Sequence, residues 1–152
     1  MIIRRMKPGD VEPLSAWIPN VPLWQRYGAT AETVRGLLSR AMDAGDLLLV
    51  ADVDSQAAVG FALVVPDGAF NRSPYLRLIG VHPDHSGAGV GSALLRQAEA
   101  EVKPTSRELF LLVSDFNTDA QRFYRRNGYE QVGAIPGYIV PDVTELIFWK
   151  RL

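Results

Sequence analysis

Apolar positions along this chain follow two periods, and the places where one gives way to the other mark out its elements. Ile2 to Met6 reads as a short strand. Pro8-Gly9-Asp10 breaks it, with Asp10 placed to cap the helix that follows. Val11, Leu14 and Trp17–Ile18 lie at helical spacing, and Pro19-Asn20-Val21-Pro22 stops that helix. Leu23 to Gly28 is an aromatic, irregular stretch holding Trp24 and Tyr27. Thr30 caps a second helix, with Thr33, Val34, Leu37, Leu38 and Met42 near one face and Gly45 at its end. Leu47 to Val53 is a nearly continuous apolar run, as expected of a strand buried on both sides. Asp54-Ser55-Gln56 turns it back into a strand from Ala57 to Val65, giving an antiparallel hairpin. Pro66-Asp67-Gly68 then closes that strand, and a loop runs to Pro74.

Tyr75 to Val81 is the fourth strand, followed by a polar, glycine-rich connection from His82 to Gly89. Val90, Leu94, Ala98 and Val102 form one stripe of a helix that Lys103-Pro104 ends. Leu109 to Val113 is a further buried strand. Asn117 to Asn127 is a short helix stopped by Gly128, a strand begins at Tyr129 to Val132, and the last strand is Glu145 to Lys150. The β-α-β segment from Tyr75 to Val113 implies a parallel crossover inside a mixed sheet. No repeat, low-complexity tract or linker divides the chain, so 1–152 is expected to be a single domain around one core.

Composition narrows the chemistry. The formal net charge of -1 gives no overall attraction to nucleic acid or to an anionic membrane. An anion would have to be met by a local arrangement of donors. The absence of cysteine removes disulfides, thiolate metal sites and an acyl-cysteine intermediate. His82 and His85, three apart in a proline-containing loop, read as turn residues, and no metal site is expected. The first residues lack the apolar region of a signal peptide, and no apolar run is long enough to span a bilayer. A cytoplasmic protein is the expectation.

One segment offers such donors. In Ser86-Gly87-Ala88-Gly89-Val90-Gly91-Ser92 three glycines alternate, and a helix starts inside the run. The first turn of a helix has unpaired N–H groups and a partial positive charge, and glycine lets a phosphate approach that backbone closely. A Walker loop would need a lysine after the glycines, and none is there. A dinucleotide loop would need its third glycine where Ser92 stands, and an acid at the end of the next strand, whereas Glu108 sits at that strand's beginning.

Val81-His82-Pro83, a short polar stretch and then Gly-x-Gly-x-Gly-Ser-Ala-Leu-Leu resemble the coenzyme A loop of the GNAT acetyltransferase superfamily. The superfamily's Gln/Arg-x-x-Gly-x-Gly/Ala falls on residues 86 to 91, with Ser86 departing from the usual Gln or Arg. A second stretch, Asn117 through Ala120, Phe123, Tyr124 and Gly128 to Tyr129, is similar to the superfamily's Asn-x-x-Ala-x-x-Phe/Leu-Tyr-x-x-x-Gly-Phe/Tyr at every defined position. These residues also have plain structural uses: Asn117 is a good N-cap and Gly128 a good C-terminal stop.

The resemblance implies an α/β (α+β) GNAT fold: a mixed, mostly antiparallel sheet of about seven strands flanked by four helices. It implies acetyl-coenzyme A as co-substrate, held by Ile79, Val81, Ser86, Gly87, Ala88, Gly89, Val90, Gly91, Ser92, Asn117 and Tyr124. It implies direct acetyl transfer to a primary amine of a small molecule or peptide, with the Val81 N–H polarising the carbonyl and Tyr124 at the departing sulfur. Many relatives carry a glutamate base on the fourth or fifth strand. Here the fourth has no acid and the position five before Asn117 is Leu112, which leaves His82, Asp115 and Glu145, each reading better as a structural or peripheral residue, or a relay through water. A non-catalytic domain that binds coenzyme A as sensor or structural ligand is the alternative. An unrelated nucleotide-binding module is the third, and the Asn117-to-Gly128 pattern argues against it. Trp24, Tyr27 and Tyr138 suit an acceptor pocket, the core or a homodimer contact equally, and Arg122, Arg125 and Arg126 read as a solvated face.

Overall fold

The computed structural model describes residues 1–152. The strands are β1 (Ile2–Arg5), β2 (Leu47–Val53), β3 (Gln56–Ala69), β4 (Ser73–Val81), β5 (Glu108–Ser114), β6 (Glu130–Pro136) and β7 (Thr144–Arg151). The helices are α1 (Val11–Trp17), α2 (Pro22–Arg26), α3 (Ala31–Asp43), α4 (Val90–Val102) and α5 (Thr118–Arg126). The strands form one sheet in the order β1-β2-β3-β4-β5-β7-β6. β4 meets β5 in parallel at Tyr75–Phe110 and Leu76–Leu111, the crossover expected of the β-α-β segment, and the β1–β2, β2–β3, β5–β7 and β6–β7 pairs are antiparallel. No helix is long and apolar enough to cross a membrane.

Three expectations need correction. The stretch after Pro22 is not irregular: Pro22–Arg26 forms α2, a fifth helix, with proline at its first position where a missing N–H costs nothing. Asp10 does not cap α1. Its carboxylate instead takes the Lys7 N–H and the Arg4 guanidinium. Pro66-Asp67-Gly68 is not a turn, because β3 runs on to Ala69. The reversal is Ala69-Phe70-Asn71-Arg72, closed by an Arg72 N–H to Ala69 carbonyl bond of 3.1 Å, with positive φ at both Phe70 and Asn71. Those dihedrals are the hairpin-favoured mirror-image turn, which asparagine tolerates and phenylalanine ordinarily avoids. Gly68 serves packing: a Cβ there would lie 2.8 Å from the Tyr75 Cβ and 2.9 Å from the Val65 Cβ.

The chain resolves into two compact units, 1–64 with 78–98, and 65–77 with 99–152. In the first, Leu14, Ile18, Leu38, Val50, Phe61 and Leu63 form the centre of the core. Thr30 caps α3 as expected, accepting the Thr33 N–H at 3.1 Å. In the second, Leu109, Leu111, Val113 and Phe148 are buried, and Tyr124 and Tyr129 pack edge-on against the chain's interior. Tyr129 donates to Glu99, which also receives the Lys150 ammonium at 2.9 Å.

One ionic cluster ties β1 and β2 to the start of α1. Arg4 donates to both oxygens of Asp10 at 2.8 and 2.9 Å, and to Asp52 at 2.6 and 3.2 Å. The Arg4 bonds hold the Asp10 carboxyl below the usual carboxylate range. At Asp52 burial pushes the other way, but the bonds from Arg4 and the Ala58 N–H outweigh it. Groups depressed in this way stabilise the fold above the ordinary carboxylate pKa, about 4, and lose that contribution as pH falls through their folded values. Arg4→Leu is expected to lower stability by about 2–3 kcal/mol, below the ~3–5 kcal/mol of a fully buried pair, because a quarter of the side chain stays wet (26% exposed). Urea titrations at neutral pH and at pH 3 check both points: the wild type should lose more stability on acidification than the variant.

Candidate active site

The first unit carries the glycine loop. β4 ends at Val81, and a single turn of 3-10 helix over Pro83–His85 follows, held by the Asp84 N–H donating to His82 Nδ1 at 3.1 Å. Ser86 N–H closes that turn on the Pro83 carbonyl. The chain then passes through Gly87 at φ 79° and Gly89 at φ 80° before α4 begins at Val90. Both backbones lie in the left-handed region that residues with a Cβ avoid, and a Cβ at either would meet nothing within 4 Å. The glycines are needed for direction of the chain, not for close packing.

The consequence is a row of unused donors. No protein group accepts from the backbone N–H of Gly87, Ala88, Gly89, Val90, Gly91 or Ser92; the first bonded amide of the helix is Ala93, on the Gly89 carbonyl at 3.0 Å. Residues 86 to 89 are exposed, Gly91 and Ser92 half-buried and Val90 buried. Consecutive unpaired N–H groups on a helix start are what a pyrophosphate needs, and this stretch fits that group without any basic side chain. Val90 and Leu94 anchor the helix start from below: a Cβ at Gly60 of β3 would come within 3.1 Å of Val90 Cγ1 and 3.0 Å of Leu94 Cδ1.

Beside this loop, Gly80 explains why β4 carries no acid one residue before Val81. A Cβ there would sit 1.9 Å from the tip of the Trp24 indole. Trp24 belongs to an aromatic group with Trp17 and Phe61, at ring separations of 6.2 and 5.5 Å, and is core packing. His82 stacks edge-on against Trp17 at 5.5 Å, and His85 Nε2 is bonded to Gln56, so neither imidazole is presented as a metal ligand.

The second unit carries the other motif. Asn117 caps α5, its Oδ1 accepting the Ala120 N–H at 3.1 Å, so the structural use of this residue is real. Its side-chain amide NH2 has no protein partner. Tyr124 lies on α5 two turns further on, roughly 10 Å along the axis. Its ring is buried between Tyr129 and Phe148 at 5.9 and 6.2 Å. Its hydroxyl has no partner in the protein, yet the one fully buried orphan among side-chain polar atoms is Ser15 Oγ, so the Tyr124 oxygen reaches open space. Burial, and then the neighbouring Tyr75, push its phenol well above the ordinary value.

Among the candidate bases, Asp115 is exposed and accepts the Thr144 N–H at 3.3 Å. Glu145 is 2% exposed and receives the Ser114 hydroxyl at 3.3 Å across the β5–β7 register. Arg122 pairs with Asp119, and Arg125 lies over Phe148 at 5.2 Å. The sequence reading missed an apolar cavity of about 210 Å3 in this unit, between the β3–β4 hairpin, β5 and the β6–β7 connection. Its components are far apart in the chain, and the segment around Gly68 reads as a loop, so no local pattern signalled it.

Residues 44–131 match the acetyltransferase (GNAT) domain family, more than half of the chain. The chain therefore belongs to the GNAT acetyltransferase family. Among solved structures it is similar to ribosomal-protein-alanine N-acetyltransferase from Brucella melitensis, at 21% identity over 100% of both chains with a TM-score of 0.82. It is also similar to aminoglycoside 6'-acetyltransferase type Ii, at 22% identity over 99% of this chain and 97% of that one, TM-score 0.82. An aminoglycoside 6'-N-acetyltransferase complexed with coenzyme A gives 18% identity, the same coverages and a TM-score of 0.82. At these identities the likeness establishes the fold, including the seven-stranded, mostly antiparallel sheet. No match is found among curated protein sequences.

The contact at Gly80 can be tested directly. Gly80→Ala must push the Trp24 indole off β4, so a loss of about 1–3 kcal/mol is expected. A red shift of tryptophan emission in the folded variant would report the displaced ring; unchanged emission and stability would show that Trp24 does not pack there.

Proposed function

We propose that this chain is an N-acetyltransferase that moves an acetyl group from acetyl-coenzyme A directly to a primary amine. The observation that carries the reading is the row of unpaired amides from Gly87 to Ser92, which fits a pyrophosphate in a chain of the acetyltransferase family. Similar folds are named for acetylation of a ribosomal protein and of aminoglycosides, and one is complexed with coenzyme A, which supports the same co-substrate and an amine acceptor here.

In this reading 1–152 act as one acetyltransferase domain. Ser86 to Ser92 hold the pyrophosphate, while Ile79, Val81, Asn117 and Tyr124 hold the pantetheine arm and thioester. The co-substrate supplies an activated acetyl carbonyl. The Val81 N–H polarises that carbonyl, the amine nitrogen bonds to its carbon, the carbon–sulfur bond breaks, and the proton that the nitrogen sheds passes through water to the departing thiolate. Tyr124 stays protonated because its pKa is raised, so it stabilises the leaving sulfur by donating a hydrogen bond and does not give up its proton. Ser86, where relatives carry a longer side chain, spends its N–H on the Pro83 carbonyl, and the free amides begin at Gly87.

Coenzyme A should raise the melting temperature, and ATP and NAD should raise it less; stabilisation by NAD alone would sink the reading. Tyr124→Phe should leave stability nearly unchanged, because the hydroxyl has no partner in the protein. It should lower kcat by about 10- to 100-fold, the worth of one hydrogen bond to a charged group. Free-thiol release with a panel of primary amines measures this, and a rate equal to wild type would remove Tyr124 from the mechanism.

A further inference from the structure

The apolar cavity of the second unit has no part in holding a phosphate-bearing co-substrate, and its walls are unlike those a polyamine or a sugar would need. Phe110, Leu112 and Ile147 form its floor, and Phe70, Tyr75 and Tyr138 its walls. The β5–β7 register sets Leu112 opposite Ile147, so the floor is one face of the sheet. Phe70 and Tyr138 are 77% and 60% exposed, an unusual cost for two aromatic rings on one rim. Phe70 is held there in a left-handed backbone conformation that a bulky residue seldom adopts, with its ring edge-on to Phe110 at 5.6 Å.

No charged residue lines the cavity. Glu145 lies two residues before Ile147 on β7, and its partner across β6 is Ile135, another lining residue. Strand alternation therefore puts Glu145 on the cavity's face of the sheet, with Ser114 opposite it. Arg77 is the cation on the neighbouring strand; it is exposed and does not line the cavity. We propose that this cavity is the acceptor subsite, and that it selects a primary amine carrying one apolar ring, or a branched aliphatic group of that size.

Volume sets the size class. A dry cavity of about 150 Å3 accepts benzene, so about 210 Å3 seats one ring with a short chain. An apolar floor also leaves the hydroxyls of a sugar without partners, which costs more than the cavity returns. The inference rests on the acetyltransferase reading, but the cavity can be judged apart from it.

The test compares 2-phenylethylamine, isoamylamine, spermidine and kanamycin as acceptors, following free thiol from acetyl-coenzyme A. The first two should exceed the last two at least tenfold in kcat/KM. Ile147→Trp, which fills the floor, should reduce the rate with 2-phenylethylamine at least tenfold and leave the thermal shift with coenzyme A intact. Preference for spermidine or kanamycin, or an Ile147→Trp variant that works as well as wild type, would overturn the proposal. If coenzyme A did not bind at all, the acetyltransferase reading would fall separately. Calorimetry of 2-phenylethylamine on the free protein, with and without Ile147→Trp, would then still decide whether the cavity takes such an amine.

Discussion

The site depends on how the first turn of α4 is pinned. Val90 and Leu94 press into the space that a side chain at Gly60 would fill, which packs the helix start closely on β3. Gly87 and Gly89 bring the chain into it through left-handed backbone. Helix starts usually find a side-chain cap, because each unpaired N–H costs free energy when it is not well solvated. This one leaves a run of donors without a protein acceptor. Such an arrangement is stable in water and gains most from an anion, which explains how a chain of net charge -1 can be suited to a pyrophosphate.

Much of this was readable in the sequence, for local reasons. The α4 stripe, the alternating glycines, the Asn117 cap and the parallel crossover each follow from residues close together in the chain, where period and capping rules apply. Asp10 misled because its best partner, Arg4, lies on another element, and a bidentate guanidinium outcompetes a helix cap. Pro66-Asp67-Gly68 misled because glycine has two uses. A turn glycine and one making room for Tyr75 look alike in sequence, and only the cross-strand neighbour separates them. The cavity was invisible for the same reason: it is the sum of strand register and a hairpin displaced by several residues.

Trp24 shows how packing redefines a candidate. Read from the sequence it could have lined an acceptor pocket. In the fold its indole covers Gly80, and Phe61 and Trp17 hold it there. The aromatic surface left open is elsewhere, on Phe70 and Tyr138. The acid missing from β4 belongs to the same trade, since a glutamate and the indole cannot occupy the same space.

In the proposed transfer the attacking amine must also lose a proton. Tyr124 cannot take it, being already protonated, and cannot readily replace it at the sulfur. A phenol at about 10 is uphill of a thiol at about 8.5 even before burial raises it. The His82 imidazole already accepts the Asp84 N–H at Nδ1 and stacks on Trp17, which fixes its orientation through packing. Asp115 is exposed and bound to the Thr144 N–H at the surface. Glu145 differs from both: it is buried on the face of the sheet that bears the cavity and already receives the Ser114 hydroxyl, so a relay through water is the route that the proposed transfer leaves for the proton.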